Sequence, residues 1–219
     1  MQMNPKTQLV LIGVSGLFAI LFDLVDFPIG FYCTKPLTTL LILTLPLRFP
    51  HDQLKAYRKT VLLGLLFCLI GDSFLLFESF FLYGLASFLV GHLCFLYAFV
   101  KQQGFQWPLV PGIFLGSIAS TILFLCYDNL GALLLPVLVY IGVILIMSWQ
   151  GIALQRQNKH FKFRYVGWAV GLFLFSDAVL ALNKFYIPFA YSGVLILSTY
   201  WLAISLIALS ASKTTKEPV

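Results

Sequence analysis

Asp72 and Asp177 stand inside long apolar runs, and each follows a basic residue, Lys59 or Arg164, by 13 positions. At a helical rise of 1.5 Å per residue, that spacing lifts both carboxylates roughly 20 Å above their basic anchors. On helices running the same way they share a level. An ionisable side chain inside a bilayer span costs on the order of 2.5 to 3.5 kcal/mol on insertion scales, so each needs a partner, water or a purpose. Two carboxylates need two cations or two protons, and the apolar runs at that depth offer one lysine, Lys35. Desolvation and mutual repulsion then leave a proton on at least one acid beside a carboxylate. Such a pair suits acetal-type chemistry, in which one group protonates and the other stabilises cationic character or activates water. It equally suits a proton relay in a transporter, and spacing alone does not separate the two.

Other side chains approach the same layer. Asp23, near the end of the first apolar run, and Lys35, near the start of the second, come to it from neighbouring helices, either as an ion pair or as substrate contacts. His92 in the fourth run lies one or two turns deeper, and Tyr97 and Tyr200 are placed to bond buried polar groups or simply to pack. Gly13-Val14-Ser15-Gly16 has the form of an intramembrane serine protease motif, but it sits in the opposite half of the first run, far in depth from a histidine partner. His51 and His160 fall in loops, and no HxxxH or HExxH pair occurs, so neither a metal nor another cofactor is expected. Cys33, Cys68, Cys94 and Cys126 fall in or beside apolar runs without a CxxC pair and read as packing residues.

The elements that must position these residues follow from composition. Of 219 residues, 60% are hydrophobic and 10% charged, and the mean hydropathy is +0.95, which leaves too little polar surface to coat a water-soluble globule. Apolar runs near 8–25, 29–47, 60–77, 81–100, 109–126, 130–149, 165–183 and 188–210 predict an all-α polytopic bundle of about eight transmembrane helices. Residues 1–219 form one membrane domain, with a disordered tail from about 212. The first run lacks a small-residue cleavage site and reads as an anchor. Lys6, Arg48, Lys55, Arg58, Lys59, Lys101, Arg156, Lys159, Lys162, Arg164, Lys213 and Lys216 fall on one side. Lys184 falls on the other with Asp26, Glu78 and Asp128. The positive-inside rule then puts both termini in the cytoplasm. The net charge of +6 comes from these short loops, with no continuous basic stripe, so nucleic acid is not an expected partner.

Small-residue spacings, Gly167 with Gly171 and Ser87 with Gly91, allow close helix approach. Gly71-Asp72-Ser73 and Ser176-Asp177-Ala178 occupy corresponding places in two four-span halves.

Several segments together resemble the YhhN family of integral membrane lysoplasmalogenases over residues from about 30 to 208. They are Lys35-Pro36-Leu37-Thr38-Thr39, Gly71-Asp72, Gly91-His92 with Tyr97, and Phe175-Ser176-Asp177 followed by Leu180-Ala181 and Lys184-Phe185. Thr199-Tyr200-Trp201-Leu202-Ala203 is similar to a further family stretch, except that Ile204 stands where glutamine is expected, which removes a polar contact there. The resemblance implies an eight-helix hydrolase that cleaves the vinyl ether bond of lysoplasmalogen. Its products are a fatty aldehyde and glycerophosphocholine or glycerophosphoethanolamine. It implies Asp72 and Asp177 as the essential pair, with His92 orienting one of them or the water. Lys35, Asp23, Tyr97, Asn183 and Tyr200 are the substrate-binding candidates, Lys35 toward the phosphate. The expected partners are the lysophospholipid substrate and membrane lipids. The short loops and strong basic asymmetry suggest a bacterial inner membrane. A proton-coupled transporter using the same carboxylates is the alternative, favoured by the four-plus-four correspondence.

The charge partition predicts that residues 55 and 128 lie on opposite sides of the membrane. Single cysteines introduced there, in a chain otherwise freed of cysteine, should label from opposite faces of sealed vesicles; labelling from one face would exclude the eight-span arrangement.

Overall fold

The computed structural model describes residues 4–50, 54–157 and 161–213. Eight long helices follow one another among them: α1 (Pro5–Leu24), α2 (Pro28–Arg48), α3 (Lys55–Phe74), α4 (Phe81–Gln103), α5 (Leu109–Leu130), α6 (Leu134–Gln157), α7 (Val166–Phe185) and α8 (Ser192–Ser210). The only strand-like pairing among the described residues is an isolated bridge between Pro50 and Ser212. Six stretches are long and apolar enough to cross a membrane, one of them covering both α5 and α6. The helix outside these stretches, α3, carries Lys55, Arg58, Lys59 and Asp72. Outward-facing side chains are strongly apolar, as at Phe124, Val110 and Ile113, which are 81%, 77% and 71% exposed. These are the features of an integral, multi-pass membrane protein.

Local chemistry sets the helix ends. Asn4 accepts a hydrogen bond from the Lys6 amide at 3.1 Å, and Pro5 occupies the first turn of α1, where its missing N–H costs nothing. Gly104, at φ +77°, ends α4 in a conformation that disfavours other residues. The helix α3 begins at Lys55, several residues before the apolar run expected from 60, because its first turns are basic and hydropathy does not register them. Pro36 and Pro46 lie inside α2, which nevertheless continues from Pro28 to Arg48. Asp128 and Asn129 were expected to separate the fifth and sixth runs, but both lie in α5. The Asn129 amide donates to the Phe185 carbonyl at 2.8 Å, and the turn comes at Gly131, at φ +49°.

Short connections make successive helices antiparallel. The starts of even-numbered helices and the ends of odd-numbered ones therefore gather at one end of the bundle with Asp23, Glu78, Asp128 and Lys184. Lys6, Arg48, Lys55, Arg58, Lys59, Lys101, Arg156, Lys162, Arg164 and Lys213 gather at the other. Lys159, Lys216, His51 and His160 lie outside the described residues.

The basic end is closed by hydrogen bonds between distant segments. Tyr57 and Ser210 share one of 2.7 Å, Lys162 donates to the Ser212 carbonyl at 2.7 Å, and the Lys213 amide donates to the Phe49 carbonyl at 2.7 Å. Ser212 and Lys213, expected to begin a disordered tail, are thus held in place, and 214–219 lie outside the described residues.

Part of the packing follows a repeat of four helices. The neighbours α1 and α2, α2 and α3, and α3 and α4 are matched by α5 and α6, α6 and α7, and α7 and α8, and α2 against α8 is matched by α6 against α4, whereas α5 against α7 and α1 against α8 have no comparable counterpart among the described residues. Four-residue small spacings have different fates. A Cβ added at Gly91 would come within 3.1 Å of the Gly64 carbonyl, so α3 and α4 approach backbone to backbone. A Cβ at Gly171 would meet nothing within 4 Å. Gly91→Val should accordingly lower the thermal midpoint in detergent, with a destabilisation of about 1 to 3 kcal/mol from overpacking. Gly171→Val should leave the midpoint unchanged; equal effects at the two sites would contradict this packing.

Candidate active site

The cavity that opens at the end opposite the basic one has a volume of about 590 Å³ and draws walls from seven of the eight helices, together with Asp23 of α1. Most of its lining is apolar, with few polar groups converging on it, the pattern of a pocket that takes an amphiphile.

Asp72 reaches it from the last turns of α3 and is 2% exposed. Its Oδ2 accepts two hydroxyl hydrogen bonds, from Thr39 at 2.5 Å and from Tyr200 at 2.8 Å. Thr39 in turn accepts from the Trp201 indole at 3.1 Å. Lys35 lies one helical turn before Thr39 and therefore on the same face of α2. Its side chain is 7% exposed, and its ammonium sits 5.6 Å from the centre of the Phe31 ring. It interacts electrostatically with both Asp72 and Asp23. Among the described residues it makes no direct ion pair and no hydrogen bond, so the Asp23–Lys35 pair expected as one alternative is a longer-range interaction across the cavity. Gly193 stands against the Asp23 carboxylate, where a Cβ would collide with it.

Asp177 reaches the same cavity from α7, although it lies 105 residues from Asp72 in sequence. Its Oδ2 accepts one hydrogen bond, from the Tyr140 hydroxyl at 2.6 Å. It makes no ion pair among the described residues; Lys184, which lines the same cavity, has its ammonium 4.6 Å from the centre of the Phe81 ring. Cys68, one helical turn before Asp72 on α3, is buried and interacts electrostatically with both acids.

The two tyrosines that hold the acids belong to one stack of rings. Tyr200 packs edge-on against Phe88 and Phe173, with centroids 5.7 and 5.5 Å apart. His92 packs edge-on against Phe173 at 4.6 Å and against Tyr140 at 5.2 Å. A floor of aromatic rings thus runs from the Asp72 donor to the Asp177 donor. His92 is fully buried in it, with both ring nitrogens lacking a protein partner, and it does not line the cavity. Neither carboxylate bonds to it.

Of the other sequence candidates, Asn183 and Tyr200 line the cavity, and Asn183 Oδ1 accepts from the Phe189 amide at 3.1 Å. Tyr97 is 56% exposed on the outside of α4 and accepts from the Lys101 ammonium at 3.4 Å, away from the cavity. Ser15 pairs with Thr38 at 2.8 Å, and the one described histidine, His92, packs elsewhere, on Tyr140 and Phe173. No three histidine, cysteine or carboxylate side chains among the described residues are grouped to hold a metal ion. Sequence reasoning missed Tyr140, which looks like any aromatic in an apolar run. Thr39 carried a signal, its four-residue offset from Lys35.

The comparison with known families decides the grouping: the profile of the YhhN family matches residues 30–211. The chain belongs to the YhhN family. Among curated proteins, this YhhN chain is 36% identical over 166 residues to lysoplasmalogenase TMEM86A of Bos taurus. The match covers 73% of the chain and 67% of the relative. It is 34% identical over 165 residues to TMEM86A of Homo sapiens, with the same coverage of each. It is 34% identical over 155 residues to lysoplasmalogenase TMEM86B of Rattus norvegicus, covering 69% of the chain and 61% of that relative. The YhhN chain thus spans about two thirds of the length of the curated relatives it matches. No solved structure matches it.

Lys35 is buried over the Phe31 ring with no ion pair or hydrogen bond among the described residues, an arrangement that costs stability. Lys35→Met in the YhhN chain should leave the thermal midpoint unchanged or raise it. A large drop would mean that Lys35 holds the fold together.

Proposed function

We infer that the chain is a membrane-embedded lysoplasmalogenase, a hydrolase that splits the vinyl ether of lysoplasmalogen into a fatty aldehyde and a glycerophospho-base. The observation that carries this reading is the pair of carboxylates, Asp72 buried and Asp177 half-buried, on one amphiphile-sized cavity, in a chain of a family whose curated relatives are named lysoplasmalogenases. The basic end, by the positive-inside rule, faces the cytoplasm, all eight helices span the membrane, and the cavity opens toward the opposite side.

The unequal neighbourhoods of the two acids support a division of roles. Asp72 accepts two hydroxyl hydrogen bonds and feels Lys35, all of which favour its anion. Asp177, half-buried, has a single hydroxyl donor and no ion pair among the described residues, which suits it to be the proton donor. Asp177 therefore delivers its proton to the alkenyl carbon beta to the ether oxygen, leaving an oxocarbenium cation between the two carboxylates. Asp72 stabilises that cation and takes a proton from the attacking water, which bonds to the carbon alpha to oxygen and forms a hemiacetal. As the hemiacetal carbon–oxygen bond breaks, the glycerol oxygen leaves with a proton and the aldehyde is released. Both acids return to their starting states after a proton passes from Asp72 back to Asp177 through water. His92 serves as a positioning residue, fixing the Tyr140 ring and through it Asp177. Lys35 and Asp23 meet the headgroup, Lys35 by contact with the phosphate.

Purified protein should release aldehyde from a lysoplasmenyl lipid and leave its ester-linked analogue intact; proton-driven solute uptake into proteoliposomes without turnover would instead favour a transporter. Asp72→Asn and Asp177→Asn should each lower turnover by at least about 10²-fold while the protein stays folded. Because the acids act as a unit, the double variant should be little worse than the worse single one. Asp128→Asn, exposed outside the cavity, is the control and should behave as wild type. Wild-type hydrolysis by both folded aspartate variants would remove the pair from the mechanism.

A further inference from the structure

A second concavity, of about 260 Å³, lies between α4 and α6 and is walled by Leu82, Leu85, Ala86 and Leu89 on one side and Leu135, Pro136, Val139 and Tyr140 on the other. Nearly all of its surface is apolar. It opens through the flank of the bundle, where Leu82, Leu135 and Val139 are 46%, 71% and 50% exposed. Two residues, Leu85 and Tyr140, line both this groove and the main cavity. Tyr140 is also the residue whose hydroxyl holds Asp177. The groove and the proton donor thus meet at one side chain.

That order matters for a single-chain amphiphile. A polar end attracted to Lys35 and Asp23 sits on the α1 and α2 side of the cavity, and the reacting bond lies between Asp72 and Asp177. The next atoms of the chain then point toward Leu85 and Tyr140. We propose that the groove between α4 and α6 is the subsite for the distal part of the lipid's hydrocarbon chain, which passes Leu85 and Tyr140 and leaves the bundle sideways into the bilayer. The subsite rests on the lysoplasmalogenase reading for its role in turnover, but its affinity for an alkyl chain does not. It fixes chain-length preference: carbons that reach the groove exchange no water for protein and gain only packing and alignment, whereas a blocked groove forces the chain to fold back in the cavity. The contact with Tyr140 ties seating of the chain to the ring that orients the acid.

The test has two arms, both on the full chain in nanodiscs. In the first, Ala86→Trp and Val139→Trp fill the groove from its two walls, and Leu138→Trp adds the same bulk on α6 outside both concavities. With a hexadecenyl substrate, kcat/KM should fall by about tenfold in either groove variant, as the chain loses its packing and alignment in the groove. With a substrate whose chain ends before the groove the loss should be less than about twofold, and Leu138→Trp should match wild type on both. Equal losses on long and short chains, or none on either, would overturn the subsite. The second arm uses an uncleavable saturated ether lysophospholipid with a diazirine at the end of its chain, so it reads binding without turnover. Crosslinks should concentrate in residues 82–89 and 135–140, and labelling spread evenly over the outer face of α5 would overturn the proposal. A wild-type protein that crosslinks there without hydrolysing the vinyl ether would refute the activity and keep the chain site.

Discussion

Everything in the site depends on two tyrosine hydroxyls being held still above one layer of rings. Tyr200 and Tyr140 donate to carboxylates on different helices, and their rings are joined through Phe173 and His92 edge to face. Each ring contact is worth only about 0.5 to 1.5 kcal/mol beyond burial. Their joint effect is positional, because in hydrocarbon a buried acid without a fixed donor would turn toward whichever polar group it could find. The layer draws on α4, α6, α7 and α8, so the relative depth of these helices and the aim of both acids are one constraint. Closure of the opposite end by Tyr57, Lys162 and Lys213 supports it, since helices tied at one end can slide little at the other.

Burial of the acids would be costly if nothing offset it, and the two are offset differently. Asp72 receives hydroxyl donors from α2 and α8 together with the field of Lys35, whereas Asp177 receives Tyr140 alone. The difference is built from residues that are ordinary one by one. A threonine four positions after a lysine, or a tyrosine in an apolar helix, acquires meaning only from the helix it faces.

This explains what could and could not be read from the chain. Both Asp72 and Asp177 line one cavity, in keeping with the 13-residue offsets to Lys59 and Arg164 that helical rise converts into height. The alternation of basic and acidic ends followed for the same reason. Azimuth did not follow: α4 contacts α6 while α5 stands outside, so His92 points into an aromatic layer and Tyr97 points away, although the two are only five residues apart. Hydropathy also misplaced the turn between α5 and α6, since Asp128 and Asn129 mark polarity but the Asn129 amide is spent on the Phe185 carbonyl. Height is a one-dimensional property of the chain, and facing is not.

The four-helix repeat in the packing carries a consequence for symmetry. A ring assembled from two identical halves would present each acid with the same neighbours, and by symmetry neither could be preferred as proton holder. Here the corresponding walls have parted company: α2 brings a lysine and a threonine to Asp72, while α6 brings a tyrosine to Asp177. Joining both sets of four helices in one chain lets each vary alone, so similar packing can hold unlike acids. The unequal treatment of the two carboxylates is something two copies of one half could not have supplied.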